Sequence, residues 1–194
     1  MATRDSFHHG ALRDAAISAA LSLVERDGPD GLGLRAVAEA AGVNHRALYR
    51  HFADKDALAV AVAAIGFERL ADRIHGAIAE SPDAADGTRP LLSAYVDFAF
   101  AEPGLYALMF GMRGQSFLDD PVLAPAVARV TGLAAAAFRR PDDPPGFSPV
   151  LRDRVMVAWG TAHGLIDLWR RGALRARGAG EARAYIAGLL ELSP

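Results

Sequence analysis

The sequence predicts an all-α protein, and three observations support this. Apolar residues recur at intervals of three and four positions along most of the 194 residues, which places them on one face of a helix. Alternating runs of β-branched residues, the pattern of strands, do not occur in the sequence. Alanine, leucine and arginine are frequent throughout, and these residues, like glutamate, favour helices intrinsically.

Glycine, proline and capping residues mark the ends of the first four helices. The first helix carries an apolar face from Leu12 to Leu23 and stops in the segment Asp-Gly-Pro-Asp-Gly at 27–31. A very short second helix at about 34–41 ends before Gly42. We expect Asn44 to cap a third short helix and Asp54 to cap a long fourth helix, since both side chains are good N-cap acceptors.

Helical spacing continues through the rest of the chain. Apolar patterns at 95–99 and 123–134 predict two further helices, and two late helices are expected at about 148–171 and 180–192. Clear loops lie at 81–87 and 140–146. The apolar segment 155–169 is shorter than the ~20 residues that span a bilayer, so we interpret it as a core or interface helix.

The composition limits the class of protein. A hydrophobic fraction of 52% and a charged fraction of 23% are typical of globular chains. The lack of cysteine excludes disulfide scaffolds, thiolate metal sites and cysteine nucleophiles. No secretory signal is visible in the polar first ten residues, so we expect a soluble, cytoplasmic protein. A net charge of −2 argues against coating nucleic acid by overall basicity, but it leaves room for a local DNA-reading surface.

The segment 34–58 carries the most specific signal. It predicts two short helices joined by a turn at Gly42, with small apolar residues where the helices cross. This is the layout of a helix-turn-helix, whose second helix enters the major groove. Its first residues then meet base edges, and here these are Asn44, His45 and Arg46.

The same segment resembles the DNA-binding domain of the TetR family of transcriptional regulators over about residues 8–58. The matching residues are Leu-Arg-x-Val-Ala-x-x-Ala-Gly-Val at 34–43 and Leu-Tyr-x-His-Phe-x-x-Lys-x-x-Leu at 48–58. The resemblance implies an N-terminal three-helix DNA-binding domain and a C-terminal helical bundle for effector binding and dimerisation. We place the two domains at 1–56 and 57–194.

The resemblance also implies roles for individual residues. Tyr49, His51 and Lys55, the single lysine of the chain, are expected to bind backbone phosphates. Arg35 is a phosphate or groove candidate, and Arg46 could form a bidentate contact with guanine. Each of these side chains also has a purely structural or solvated alternative, as have His8 and His9, for which disorder competes with a DNA-contacting arm.

Two departures from the family pattern affect this interpretation. Gly33 stands where the family often has threonine, so a hydroxyl cap and phosphate contact are missing there. His45 and Arg46 stand where small residues are frequent, which should change the bases that are read. The operator sequence therefore cannot be transferred from relatives.

The C-terminal region resembles a TetR subfamily with a Trp-x-x-x-His-Gly pattern, here Trp159, His163 and Gly164. Asp167, one turn further on, could orient or charge His163. A small hydrophobic effector is expected to bind in this region. The alternative is that the aromatic and methionine residues of the region only pack the core. The ligand-binding candidates are Tyr95, Phe98, Tyr106, Met109, Phe110, Trp159 and His163, with Met112 a further candidate.

One recognition helix makes few base contacts, so useful specificity requires a homodimer on adjacent half-sites. The two late helices resemble the pair that forms a four-helix dimer interface in the family. Gly160 and Gly164, one turn apart, would allow a close approach of helices there.

The predicted function is that of a dimeric DNA-binding regulator that acts as a repressor and that a small effector releases from a palindromic operator. An enzyme is the first rival, but no strand precedes the Gly-x-Gly-x-x-Ala match at 31–36 and no hydrolase or metalloprotease motif occurs. We expect no cofactor, no metal and no membrane partner. The second rival is a helical ligand-binding or scaffold protein without specific DNA binding.

Overall fold

The computed structural model describes residues 4–82, 87–111 and 119–191, with side chains from 11 onward and up to 190. These residues form α-helices joined by turns, as the sequence predicts, with no strand among them. The helices are α1 (Arg4–Asp27), α2 (Leu34–Ala40), α3 (His45–Leu48), α4 (Lys55–Ala79), α5 (Thr88–Ala101), α6 (Pro103–Gly111), α7 (Leu123–Phe138), α8 (Pro149–Arg170) and α9 (Ala179–Glu191).

The predicted helix boundaries in the first 60 residues are confirmed. Gly28, after α1, and Gly42, after α2, have φ of 74° and 66°, which a glycine adopts without steric cost. The side chain of Asn44 accepts the backbone N–H of Arg46 at 2.9 Å. Asp54 accepts the backbone N–H of Ala57 at 2.8 Å, so both predicted N-caps are present.

The structure contains a helix, α6, that the apolar spacing did not predict. The sequence predicts helices at 95–99 and 123–134, whereas α5 ends at Ala101 and α6 follows from Pro103 to Gly111. Proline lacks the N–H that a continuing helix would need, but it is well suited to the first turn of a new one. Pro103 therefore separates α6 from α5.

The chain divides into two compact units. Unit 1 comprises residues 1–67 and 102–126, and unit 2 comprises 68–101 and 127–194. Each unit thus combines segments that are distant in sequence, and α4 contributes to both. By function, the sequence divides into a predicted DNA-binding domain at 1–56 and a predicted effector-binding and dimerisation domain at 57–194. This division stays a prediction.

Unit 1 holds α6 against the end of α1. A side-chain oxygen of Glu25 accepts the backbone N–H of Leu105 at 2.7 Å, satisfying a donor that the start of a helix leaves open. A Cβ on Gly104 would collide with the backbone carbonyl of Val24. This close approach therefore requires glycine at position 104.

Unit 2 packs α5 against α8 and α9. The side chains of Phe98, Ile166 and Ile186 are at most 1% exposed and form part of its core. The loop after α7 is fixed to α8, because Asp143 accepts hydrogen bonds from Arg154 at 2.8 and 3.0 Å. The side chains of Asp143 and Arg154 are 4% and 20% exposed, so this ion pair is largely shielded from solvent.

Within the described residues, none of the helices combines the length and the apolar character needed to cross a membrane.

Candidate nucleic-acid interface

The start of α3 lies at the protein surface. Leu48 is fully buried and anchors the inner side of this short helix, which packs against α2 and α1. Asn44, His45 and Arg46 are all exposed. The structure therefore leaves accessible the residues that the sequence predicts to meet base edges.

Asn44 serves both as a cap and as an exposed polar group. Its side-chain oxygen accepts the Arg46 backbone N–H, which leaves the amide N–H₂ group as a donor toward solvent. The His45 ring lies edge-on to Tyr49, with centroids 6.4 Å apart. Tyr49 is 53% exposed despite its size, which places its ring outside the core.

The residues after α3 separate into packing and surface positions. Phe52 is 3% exposed and Leu58 is fully buried, consistent with packing roles for both. His51 is half-buried, whereas Lys55 is exposed at the first position of α4. Asp54 accepts the backbone N–H of Ala57 at this helix end. The Lys55 ammonium is therefore the charged group there that can donate to a phosphate.

The cations of this region lack carboxylate partners. Among the described side chains, no ion pair within 4.0 Å involves any of them, and even Arg35 and Glu39, one helical turn apart, do not pair. All five are exposed. They are Arg13, Arg35, Arg46, Arg50 and Lys55.

Arg50 is a candidate that the sequence interpretation missed. It lies between Tyr49 and His51 and is exposed. Its position is variable in the motif that carries the resemblance, so the pattern drew no attention to it. Its charge between two proposed phosphate contacts was the available signal.

An open groove of about 630 Å³ lies along α2 and the start of α3. Its lining comprises Arg35, Ala38, Glu39, Val43, Asn44, His45 and Arg46. The groove thus contains four of the seven predicted DNA-binding residues together with one carboxylate.

His8 and His9 lie in the first turns of α1, which begins at Arg4. Their side chains fall outside the described ones, and the predicted contact of this arm with DNA stays a prediction.

Four of the predicted ligand-binding residues lie in unit 2, and three of them form a hydrogen-bonded cluster. The Trp159 indole N–H donates to the Tyr95 hydroxyl oxygen at 3.0 Å. The same oxygen lies 3.2 Å from Nδ1 of His163. Tyr95 is buried, whereas Trp159 and His163 are half-buried. Phe98 is fully buried, with the Arg73 guanidinium 5.8 Å from its ring centroid.

The environment of His163 favours its neutral form. Burial lowers the pKa of its ring; the carboxylate of Asp167 acts in the opposite direction, and Arg170 adds to the lowering. Asp167 does not orient the ring through a hydrogen bond in this structure, because its carboxylate accepts from Arg171 at 2.6 Å. Tyr95 is the residue hydrogen-bonded to His163 instead.

The other three predicted ligand-binding residues lie in unit 1. Tyr106 and Met109 are at most 2% exposed. The Phe110 ring lies 4.9 Å from that of Tyr106 and 5.6 Å from that of Phe67. These contacts are also those of ordinary core packing, the alternative that the sequence left open. Met112 lies outside the described residues.

In the part of the chain that the structure describes, no group of three histidine or acidic side chains is arranged to hold a metal ion.

An all-α chain with a short α3 that starts at the surface behind a glycine turn, with exposed cations around it, defines a helix-turn-helix protein. Comparison with protein families identifies the family. Residues 16–62 match bacterial regulatory proteins of the tetR family, and residues 88–191 match the tetracyclin repressor-like C-terminal domain. Together these matches cover most of the sequence, and the chain belongs to the TetR family of transcriptional regulators.

Individual relatives agree with this assignment. A protein of unknown function from Rhodococcus sp. RHA1 is 33% identical, with a TM-score of 0.73 and 95% of each chain covered. A TetR-family transcriptional regulator from Streptomyces coelicolor is 27% identical, with a TM-score of 0.64 over 95% of this chain and 98% of that one.

A curated relative, the uncharacterized HTH-type transcriptional regulator YobS of Bacillus subtilis (strain 168), is 29% identical over 100 residues. That alignment spans 50% of this chain and 50% of the relative. None of these matches assigns a role to an individual residue of the Trp-x-x-x-His-Gly pattern, which stays a prediction.

Proposed function

We propose that this chain binds a palindromic operator in duplex DNA as a homodimer, represses transcription there and is released by a small hydrophobic effector. The observation that carries the proposal is the surface around α3. Its cations are exposed and unpaired with carboxylates in the described structure, although the whole chain has a net charge of −2. A local cationic surface on an acidic protein is suited to a polyanion such as DNA.

Base reading is assigned to the exposed start of α3. Arg46 can donate two hydrogen bonds to the major-groove edge of guanine. His45 and the Asn44 amide group lie beside it and can contact adjacent bases or a phosphate. Arg35, Tyr49, His51 and Lys55 then bind the phosphate backbone and fix the register of the helix.

Dimerisation is assigned to α8 and α9. Val150, Val157 and Leu168 are 57%, 71% and 45% exposed and recur at the spacing of a single helix face. Tyr185 on α9 is 54% exposed. An apolar stripe of this kind on a long helix is costly to leave in water, and a second copy of the same pair of helices would cover it.

The glycines of α8 provide room for this partner. A Cβ built on Gly160 or Gly164 meets no other atom within 4 Å, so both positions border open space in the single chain. Small residues at such positions allow the backbones of two helices to approach closely. A twofold axis through this surface also explains why the operator should be palindromic.

Effector release is assigned to the aromatic residues of the C-terminal region. Trp159 and His163 are half-buried, so a ligand reaches them with less rearrangement than it needs at the buried Tyr95 and Phe98. Tyr106, Met109 and Phe110 on α6 are the further candidates. An effector that binds one conformation of the dimer preferentially would shift the population away from the spacing that fits DNA.

Selection of bound sequences from a random duplex pool tests DNA binding. We expect enrichment of an inverted repeat by the wild-type protein. Arg46→Ala should retain binding but lose preference at one base pair in each half-site, a discrimination of ~1–3 kcal/mol. If no sequence is enriched, the chain is better described as a helical ligand-binding or scaffold protein.

Sedimentation analysis tests the dimer. We expect a dimer for the wild type and a folded monomer for Val157→Asp, because an exposed carboxylate is tolerated by the single chain but not by an apolar interface. Unchanged assembly of this variant contradicts the assigned surface.

Thermal-shift screening with small hydrophobic compounds tests the effector. A compound that raises the melting temperature should also lower operator affinity and restore expression of a reporter that carries the selected operator. A stabilising compound with no effect on operator affinity contradicts effector release.

A further inference from the structure

We propose that Arg13, on α1, is an additional DNA-phosphate contact, held in position by the Phe52 ring. The inference rests on the proposed DNA binding and extends the interface to a residue of α1 that none of the motifs assigns to it. Neither the helix-turn-helix pattern nor the family match at 16–62 includes Arg13.

The position of Arg13 is defined by a contact between two helical segments. Its guanidinium carbon lies 5.7 Å from the centroid of the Phe52 ring. A cation over an aromatic face is attracted by the ring quadrupole. Phe52 is 3% exposed and therefore fixed in the core, so it holds the flexible Arg13 side chain close to the end of the helix-turn-helix.

This location places the charge among the proposed phosphate contacts. His51 immediately precedes Phe52, and Lys55 follows three residues later. The α1 helix also packs directly against α2 and α3. A phosphate bound near His51 or Lys55 would therefore also lie close to the Arg13 guanidinium.

The charge of Arg13 is available for such a contact. Among the described side chains, no carboxylate lies within ion-pair distance of it. By contrast, Arg26 on the same helix forms an ion pair with Asp27 at 2.6 Å. The guanidinium carbon lies over the Phe52 ring, and a guanidinium carries five N–H donors, so N–H groups that do not face the ring can donate to phosphate oxygens.

The salt dependence of DNA affinity tests this proposal. The probe is the duplex selected with the wild-type protein, and the variants are Arg13→Gln, Arg13→Lys and the matched control Arg26→Gln. For Arg13→Gln we expect about tenfold weaker binding. The slope of log affinity against log salt should become shallower by ~0.9 for each lost phosphate contact, and hence by ~2 in a dimer.

Arg13→Lys should keep the wild-type slope because it keeps the charge, and Arg26→Gln should keep both slope and affinity. An unchanged slope for Arg13→Gln overturns the proposal, even if affinity falls, since a purely structural role would not alter the number of released ions. An equal change of the slope for Arg26→Gln also overturns the proposal. Failure of the wild type to bind any duplex would instead refute the proposed function, so the two failures are distinguishable.

Discussion

Arginine has different surroundings at the α3 surface and in unit 2. In unit 2, Arg129 bonds to Glu68 and Asp72 at 2.6 Å each, Arg154 bonds to Asp143, and Arg183 pairs with Asp97. Around α3, the exposed arginines have no carboxylate partner among the described residues. The first set joins elements of the fold, whereas the second set contributes charge that the fold does not use.

This difference separates residues for stability from residues for a ligand. The pairs of Arg129 and Arg183 are substantially exposed, and each contributes little. By contrast, loss of one partner of the shielded Arg154–Asp143 pair leaves the other uncompensated. Exposed unpaired cations contribute little to folding, and their mutual repulsion is slightly unfavourable. Changes in the two regions should therefore have effects that do not overlap.

The largest effect is expected for Lys55→Ala. Two ammonium groups are lost from the proposed dimer, each making a charged hydrogen bond to phosphate, and DNA affinity should fall by about 100-fold for every sequence. The melting temperature should stay that of the wild type, because Lys55 is exposed. Fluorescence anisotropy with two unrelated duplexes measures the DNA affinity, and calorimetry measures the melting temperature.

Arg175→Ala is the matched control for Lys55→Ala, since it removes an exposed cation from unit 2. This substitution should leave both the DNA affinity and the melting temperature unchanged. A comparable loss of DNA affinity in this control would show that overall charge, rather than the α3 surface, governs binding.

Asp143→Asn should lower stability with unchanged DNA affinity. Hydrogen bonds from Arg154, and then from the backbone N–H of Arg140, lower the pKa of Asp143 from 3.8 to about 2. Because the folded-state pKa is lowered, the stabilisation is complete above about pH 4 and is lost as the pH falls through about 2. The melting temperature of the wild type should exceed that of the variant at neutral pH by several degrees.

The pH dependence provides the check on this ion pair. The difference in melting temperature between wild type and Asp143→Asn should shrink as the pH decreases from 4 toward 2. Asp153→Asn, in an exposed pair with a 66% exposed carboxylate, is the control and should show almost no difference. A constant difference across this range would exclude the carboxylate charge as its cause.

The smallest effect is expected for Tyr95→Phe. The change removes the hydroxyl that accepts from Trp159 and lies beside His163, so the free energy of unfolding should fall by ~1 kcal/mol. Denaturant titration measures it. Trp159→Phe removes the donor together with part of the indole ring, so a loss beyond that of Tyr95→Phe measures ring packing in addition to the hydrogen bond. An unchanged free energy of unfolding for Tyr95→Phe would contradict the contribution of the hydrogen bond.

The helix-turn-helix was predictable because its determinants are local. Gly42, Asn44 and Asp54 act within a few residues of their own positions, and the spacing of the motif specifies both packing and exposed residues. The grouping of α6 with unit 1 was not predictable in this way, since the close contact of Gly104 with Val24 joins segments that are distant in sequence.

The candidate site shows the same limit. The motif identified Tyr49, His51 and Lys55, but it could not show that the Arg13 guanidinium lies over the Phe52 ring, because that contact depends on the packing of α1. Likewise, the helical spacing suggested Asp167 as the partner of His163, whereas the fold brings Tyr95 to the ring. Contacts between residues far apart in sequence required the structure.

The attachment of α6 to α1 has a practical consequence for dissecting this protein. Glu25 caps α6 and Gly104 fits against Val24, so an expression fragment ending at Phe67 would leave the α6-facing side of α1 uncovered. A minimal DNA-binding fragment for biophysical work should therefore contain residues 1–67 and 102–126 joined by a linker, rather than residues 1–67 alone.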